Sequence, residues 1–416
     1  MSTAAPHRNG LAAHPAPLPR LLGGGPHPPV TVAGPALIDE VRRAGLMGHG
    51  GAAFPTWRKM QAVADGRRTG VVVANGTEGE PASAKDAVLM IHHPDLVLEG
   101  ALAAAGAVGA REVIVAVGRE APEAIARVRD AAAAMRTGRI RLSVVTPPAR
   151  FVTGEETALV NWINGGPAKP TASPPRPGER GVRRRPTLVQ NVETLAHVGL
   201  IARYGADWFR TAGTPQEPGT MLVTVGGGVR LPGVLEIELG TPLGEILDRA
   251  GGMVDGLGGV LVGGYFGAWL DAGDPLAVPF SAEGLRPAGT APGAGTIVVL
   301  PQSACPFAET ARVARYLAQQ SAGQCGPCVL GLPELARNIR AIADRHGVAG
   351  ALGEVHELIG LVERRGGCGH PDGAARLARS AVRAFPEELD LHLRGGCSAT
   401  SRRSVLPIPG PPDGWR

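Results

Sequence analysis

The run Val71-Val-Val-Ala-Asn-Gly-Thr-Glu-Gly-Glu-Pro81 reads as a short buried strand that breaks abruptly into a glycine-rich, acidic turn. Working outward, an Ala-rich helix is expected from about Asp95, a strand at Val113 to Val117, a helix at Pro122 to Met135 and a strand at Ile140 to Val145. Strands alternating with helices imply a parallel sheet covered by helices, so this half is expected to be α/β and Rossmann-like. Upstream lies Gly45-Leu-Met-Gly-His-Gly-Gly-Ala-Ala-Phe-Pro-Thr-Trp-Arg-Lys59, where the glycine density points to backbone closely approaching something.

Downstream the pattern changes twice. Ala168 to Pro186 is rich in Pro, Gly and Arg and reads as a long loop, followed by a helix near Asn191. From Met221 a strand to Val225, the turn Gly226-Gly-Gly, a strand from Gly233 to Glu238, a helix from Leu243 to Ala250 and a strand from Ile297 to Leu300 outline a small β-rich unit. After Pro301, Phe307, Thr310, Ala311, Ala314, Leu317 and Ala318 recur at helical period. The expected divisions are an N-terminal flexible arm over 1–35, the α/β unit over 36–217, the β-rich unit over 218–300, a helical bundle over 301–396 and a tail over 397–416.

A chain of 416 residues exceeds one ordinary core, and 44% hydrophobic residues suffice for several. The net charge of +5 is scattered apart from Arg183, Arg184 and Arg185, so no nucleic-acid partner is expected. No stretch reaches the roughly 18 apolar residues of a membrane span, because Glu99, Arg111 and Glu112 interrupt the best candidate, so no direct membrane insertion is expected. Residues 1–29 lack an apolar signal core, which points to a cytoplasmic chain. Five cysteines, an odd number, argue for thiols or metal ligands over a disulfide framework.

Cys325-Gly-Pro-Cys328, with Cys368 forty residues on, is the most explicit chemical feature. The spacing alone leaves an iron–sulfur cluster, a zinc site, a redox dithiol or plain buried thiols open. The glycine-rich stretch alone is likewise a weak nucleotide signal.

The four motifs taken together resemble the NADH-oxidising flavoprotein subunit of respiratory complex I. Gly45 to Lys59 is similar to the family's Gly-Leu-Arg-Gly-Arg-Gly-Gly-Ala-Gly-Phe-Pro-Thr-Gly-x-Lys, and Asn75 to Pro81 to its Asn-Ala-Asp-Glu-Gly-Glu-Pro. Phe151 to Thr157 resembles Tyr-x-Cys-Gly-Glu-Glu-Thr, and Pro186 to Leu195 resembles Pro-Thr-x-x-Asn-Asn-Val-Glu-Thr-Leu. Ser321 to Cys328 resembles the cluster motif Ser-Cys-Gly-Gln/Lys-Cys-x-Pro-Cys. The unit beginning near Met221 resembles the family's soluble-ligand-binding β-grasp (SLBB) unit.

The resemblance implies an oxidoreductase, an NADH dehydrogenase component: NADH reduces FMN by hydride transfer, and electrons leave through an iron–sulfur cluster to an iron–sulfur or ferredoxin-like partner protein. It also implies the residues. Glu80 and Glu156 would be the catalytic acids lining the reacting rings. Gly48, Gly50, Gly51, Phe54 and Lys59 would bind cofactor or nucleotide, as would Asn75, Glu78, Gly154, Glu155, Asn191 and Thr194. Asn191 and Thr194 open a helix and would face the FMN phosphate. Cys325, Cys328 and Cys368 would be metal ligands. The family's first cluster cysteine is Ala322 here, so the implied cluster is a [3Fe–4S], or a [4Fe–4S] completed by water or by a side chain such as His370. Cys305 and Cys397 are set aside as ligands of that cluster, since a helix separates each from the motif. Ala62, Ser173 and Arg176 replace residues that grip NADH in the family, and Thr77 and Gln190 replace flavin-site Asp and Asn. Two rival readings are a flavin and iron–sulfur relay that no longer uses NADH and a degenerate, nonenzymatic scaffold. The family's peripheral place on a membrane complex is the alternative to a free cytoplasmic protein.

Overall fold

The computed structural model describes residues 20–23, 27–271 and 273–416. The first unit carries α1 (Ala36–Ala44), α2 (Thr56–Ala64), β1 (Val71–Gly76), α3 (Lys85–His92), α4 (Pro94–Ala107), β2 (Glu112–Val117), α5 (Pro122–Ala134), β3 (Arg141–Val145), α6 (Glu156–Ile163), the single turn α7 (Pro177–Arg180), β4 (Thr187–Asn191) and α8 (Val192–Phe209). Its four strands are all parallel, in the order β3-β2-β1-β4. Val71, Val72, Val73 and Ala74 are fully buried because helices cover both faces of the sheet. The chain winds outward from β1 to β3 and then returns to place β4 on the other side of β1. The sheet therefore changes direction between β1 and β4, where open α/β sheets bind ligands beyond the strand ends.

The second unit holds β5 (Thr220–Gly227), β6 (Gly233–Glu238), α9 (Leu243–Arg249), β7 (Leu257–Val262), β8 (Ala268–Trp269), the turn α10 (Ala282–Leu285) and β9 (Thr296–Pro301). Its five strands run β6-β5-β9-β7-β8, with only β5 and β9 parallel. The third unit is helical: α11 (Pro306–Gln320), a π-helical turn at Pro327–Gly331, α12 (Leu332–Ala343), α13 (Val348–Val362), α14 (His370–Ala384) and α15 (Pro386–Leu393). Pro386 starts a new helix because proline suits the first helical turn but not an interior.

Three expectations are corrected. A strand, β4, precedes the helix expected near Asn191, and α3 precedes the expected Ala-rich helix. Most of the expected flexible arm over 1–35 lies outside the described residues, but its described part is packed: Leu21 is fully buried, the Leu21 and Leu22 amides donate to Glu236, and Arg20 sits 4.3 Å over the Trp208 ring. The Thr31 and Val32 amides both donate to the Ala202 carbonyl. The basic run is also accounted for locally. Arg183 and Arg185, with Arg141, converge on the buried carboxylate of Glu112.

Helices α4 and α8 meet backbone to backbone. A Cβ on Gly100 would overlap the Leu195 carbonyl, and one on Gly199 would lie 3.2 Å from the Gly100 Cα. Gly106, on the same helix α4, is exposed, and a Cβ there would meet nothing within 4 Å. Gly100→Ala should therefore destabilise the first unit by about 1–3 kcal/mol through overpacking, whereas Gly106→Ala should stabilise it by about 0.5–1 kcal/mol through helix propensity. Urea denaturation of the two variants checks the opposite signs.

Candidate functional site

A cavity of about 820 Å³ opens at the carboxyl ends of β1 and β4, within the size range of cofactor sites. Its floor is the glycine-rich loop between α1 and α2. A Cβ on Gly48 would press 3.3 Å from the Phe54 carbonyl and one on Gly50 3.2 Å from the Asn191 side chain, while Gly51 adopts φ +101°. Glycine thus lets backbone N–H groups reach the cavity. Gly48, Gly50, Gly51, Phe54 and Lys59 all line it, and so do Asn75, Glu78, Glu80, Gly154, Glu155, Glu156 and Asn191. Lys59 is held by Glu156, Nζ to Oε2 at 2.7 Å.

Several of these side chains are already engaged with the protein. Asn75 donates to the Gly154 carbonyl at 2.8 Å and accepts from the Thr77 amide. Glu78 takes the Asp86 and Ala87 amides at the start of α3 and the Ser83 hydroxyl. Glu155 caps α6 by accepting from the Thr157 and Ala158 amides. Glu80 accepts from the Tyr265 amide at 2.6 Å and the Ala82 amide at 3.1 Å, which ties the cavity wall to the second unit. Asn191 caps α8 through the Glu193 amide and donates to Asp86 at 2.6 Å. Thr194 is a correction: it is fully buried and away from the cavity, and its hydroxyl accepts the His49 amide, so it shapes the glycine loop instead of facing a phosphate.

Sequence reasoning missed His49, Lys85 and Glu193; His49 and Glu193 lie inside the glycine run and the Pro186–Leu195 motif already singled out, and nothing local marked Lys85 as buried. Glu193 receives His49 Nδ1 at 2.8 Å, lies 2.8 Å from Lys85 Nζ, and accepts the Leu222 amide of β5. Burial opposes its ionisation, but the Lys85 and His49 charges hold its carboxyl far below the usual range. The same site contains a Gln190 side-chain nitrogen that is buried without a protein partner, an unfilled donor at the cavity wall. An open glycine bed, an unsatisfied donor and a lysine at the floor fit a flavin nucleotide.

The three expected metal ligands gather where the helical unit meets this cavity. Cys328 is buried, and Cys325 and Cys368 are half-buried. Cys368 and its neighbour His370 line the cavity itself. The Gly367 amide, next to Cys368, helps hold the Cys325 thiol below its usual range against burial, so the two cysteine-bearing loops are neighbours. Burial pushes the Cys328 thiol up to about 12, with the Cys325 sulfur as the next cause. Ala322, at the missing fourth position, is buried and offers only its carbonyl, which accepts Lys169 Nζ at 2.7 Å. His370 donates from Nε2 to the Leu317 carbonyl at 2.7 Å, leaving a buried Nδ1 with no partner, and burial lowers its pKa to about 4. The three thiols fit a cluster; a fourth thiol does not exist there.

Burial pushes Glu80 up to about 7 from an unfolded value near 4.5, against the Tyr265 and Ala82 amides, which pull it down. An acid raised in the folded state stabilises fully below the unfolded pKa, and that contribution is lost as pH rises through the folded one. Glu80 should therefore contribute a loss of stability between about pH 4.5 and 7, opposed over the same range by the buried His197 and His370, whose pKa values burial lowers. Glu80→Gln should remove that share and leave those of Glu78, His197 and His370, gaining on the order of 2 kcal/mol relative to the parent from pH 5 to pH 8. Denaturant titrations at both pH values read this out, and parallel curves would contradict it.

Comparison with known proteins agrees with this geometry. Family models match as the Nuo51 FMN-binding domain over residues 41–200, the SLBB domain over 222–260 and the NADH-ubiquinone oxidoreductase-F iron-sulfur binding region over 308–392. The F subunit of NADH-quinone oxidoreductase from Streptomyces coelicolor is 31% identical over 391 residues, covering 89% of this chain and 86% of that one. Its counterpart from Escherichia coli is 31% identical over 388 residues, covering 88% and 86%. Among solved structures, an NAD+-reducing [NiFe]-hydrogenase in the H2-reduced state superposes with a TM-score of 0.80 at 31% identity, covering 86% of this chain but only 62% of the hydrogenase chain. A parallel-sheet flavin unit, an SLBB unit and a helical cluster unit follow in the same order along the chain, which belongs to the family of NADH-quinone oxidoreductase F subunits.

Proposed function

We propose that this chain performs its family's reaction, oxidation of NADH with electron transfer through FMN and an iron–sulfur cluster, with the residues of the one cavity in defined roles. The observation that carries the reading is that Cys368 lines the same cavity as the glycine bed, so flavin and cluster would be neighbours. FMN, when bound, supplies a hydride acceptor that can release electrons singly, which is why no protein acid or base is needed for the transfer itself.

The chain's own residues bind, orient and enclose. Gly48, Gly50 and Gly51 present backbone amides to the nucleotide, and Lys59 offers a positive charge fixed by Glu156. Asn75, Glu78, Glu80 and Glu155 act through the bonds described above: they hold the walls rigid, so they are positioning residues in this reading. Asn191 orients the start of α8, whose N-terminal amides favour an anion. Phe54 and Arg176 face the cavity where the second nucleotide would enter, with Ala62 beside them. Arg176 supplies a flat cation for the adenine in place of an aromatic ring.

Cys325, Cys328 and Cys368 would hold the cluster, with the corner near Ala322 closed by a non-thiol ligand. The unpartnered Nδ1 of His370 and water are the two candidates for that corner. Electrons would pass to an iron–sulfur or ferredoxin-like partner protein. Among the described residues no single helix is long and apolar enough to cross a membrane.

Anaerobic titration of the purified chain with NADH, following the visible flavin band, tests the function. Bleaching near one equivalent is the expected result; bound flavin that stays oxidised would leave only a relay fed by another donor. Arg176→Ala should raise KM for NADH about 2–5-fold with kcat unchanged, the loss of a surface cation–π contact. Steady-state kinetics with an artificial electron acceptor checks it.

A further inference from the structure

Away from the flavin cavity, four side chains that play no part in the reading above converge between the first and last helices of the helical unit. They are Cys305 at the cap of α11, Glu388 and His392 on α15, and Cys397 just beyond it. One donor atom from each lies within 4.8 Å of every other. Cys305 Sγ is 3.6 Å and Glu388 Oε1 is 3.0 Å from His392 Nε2. All are buried except Cys397, which is half-buried, and His392 is only 1% exposed.

The imidazole is oriented as a metal ligand. His392 Nδ1 lies 2.8 Å from the Ile342 carbonyl, an acceptor only, so Nδ1 carries the proton and Nε2 of the neutral ring presents a bare lone pair to the group. That lone pair faces a carboxylate oxygen and a sulfur. Without a cation the Cys305 thiol proton fills that lone pair; with one, the imidazole nitrogen, a carboxylate oxygen and both sulfurs can share it. The Glu388 carboxylate is fixed by the Ser398 amide, which donates to both of its oxygens at 3.1 and 3.2 Å. Tetrahedral coordination with bonds of about 2.0–2.3 Å places donors roughly 3.3–3.8 Å apart; the Cys305–His392 pair already has that spacing and the Glu388–His392 pair lies slightly inside it.

We propose that Cys305, Glu388, His392 and Cys397 form a structural zinc site. Two thiolates, one imidazole and one carboxylate are a borderline-soft set that suits Zn2+, and four protein ligands leave no open position for substrate. The site secures the root of a strap. Beyond Cys397 the Thr400 and Ser401 amides bond the Ser303 carbonyl, Leu406 is buried with its amide on Glu309, and Pro407 accepts the Tyr265 hydroxyl. The strap ends on the first unit: the Ala149 amide and Arg150 bond Asp413, and the Trp415 ring lies under Arg150 at 4.0 Å and Lys169 at 4.6 Å. Lys169 is the side chain that holds the Ala322 carbonyl beside the cluster cysteines.

The test is metal analysis of the purified full chain by mass spectrometry, after incubation with Zn2+ and dialysis. The expected result is about one zinc per chain in addition to iron, lost in the Cys305→Ser/Cys397→Ser double variant and kept in Cys325→Ser, which is expected to lose iron. Should the double variant fail to fold, the parent chain loaded with Co2+ in place of zinc gives an independent readout: thiolate-to-cobalt charge-transfer absorption, altered in Glu388→Gln. Absence of zinc in the parent, full zinc in the folded double variant, or a Cys305–Cys397 disulfide in the parent would overturn the proposal.

Discussion

The carboxylate of Glu193 is the point on which the rest of the structure depends. It sits fully buried in the first turn of α8 and meets Lys85 of α3, His49 of the glycine loop and the Leu222 amide of β5. One side chain thus joins two helices of the first unit, the floor of the cavity and the first strand of the second unit. Lys85, itself buried, also pairs with Asp86 at 2.6 Å, and Asp86 receives Asn191. Burial works against the charge on Lys85, but Asp86 and Glu193 hold its pKa above the ordinary lysine value. A buried network of this kind adds little net stability, yet removing one member leaves a stranded charge at a cost of about 3–5 kcal/mol. Its contribution is to geometry: it fixes where the glycine backbone and the N-terminus of α8 stand relative to each other.

That constraint explains which parts of the molecule could be read from sequence. Strands β1, β2 and β3 were legible because their runs are apolar and β-branched. β4 was not, since Thr187-Leu-Val-Gln-Asn191 has only two apolar side chains and becomes a strand only by pairing with β1. The glycine loop and the acids around it were legible as a group through motif resemblance, and their backbones do line one cavity. What the individual carboxylates bond was not legible. Glu78, Glu80 and Glu155 turn to amides that the fold brings near, and Thr194 turns inward to His49.

The cysteines show the same division. Cys325, Cys328 and Cys368 were readable from spacing, and their loops meet at the edge of the flavin cavity. Cys305 and Cys397 were set aside as ligands of that cluster by helix length, an argument that said nothing about the two of them together. They meet because α11 and α15 bring their cysteine-bearing ends together, a contact between residues far apart in the chain. The Ala322 substitution is matched by a buried environment with a lysine on its carbonyl, so this corner of the cluster site has its own local structure and not merely a missing thiol.

The most direct test of the central claim, that the buried Glu193 network shapes the flavin bed, is FMN affinity of the Glu193→Gln variant measured by fluorescence quenching alongside circular dichroism. The account predicts at least roughly tenfold weaker binding with the helical signal retained, because Lys85, left to Asp86, and His49 no longer meet on one carboxylate, so the glycine loop shifts while the apolar cores persist. Binding as tight as in the parent chain would contradict it and leave the network a structural contact without influence on the cofactor.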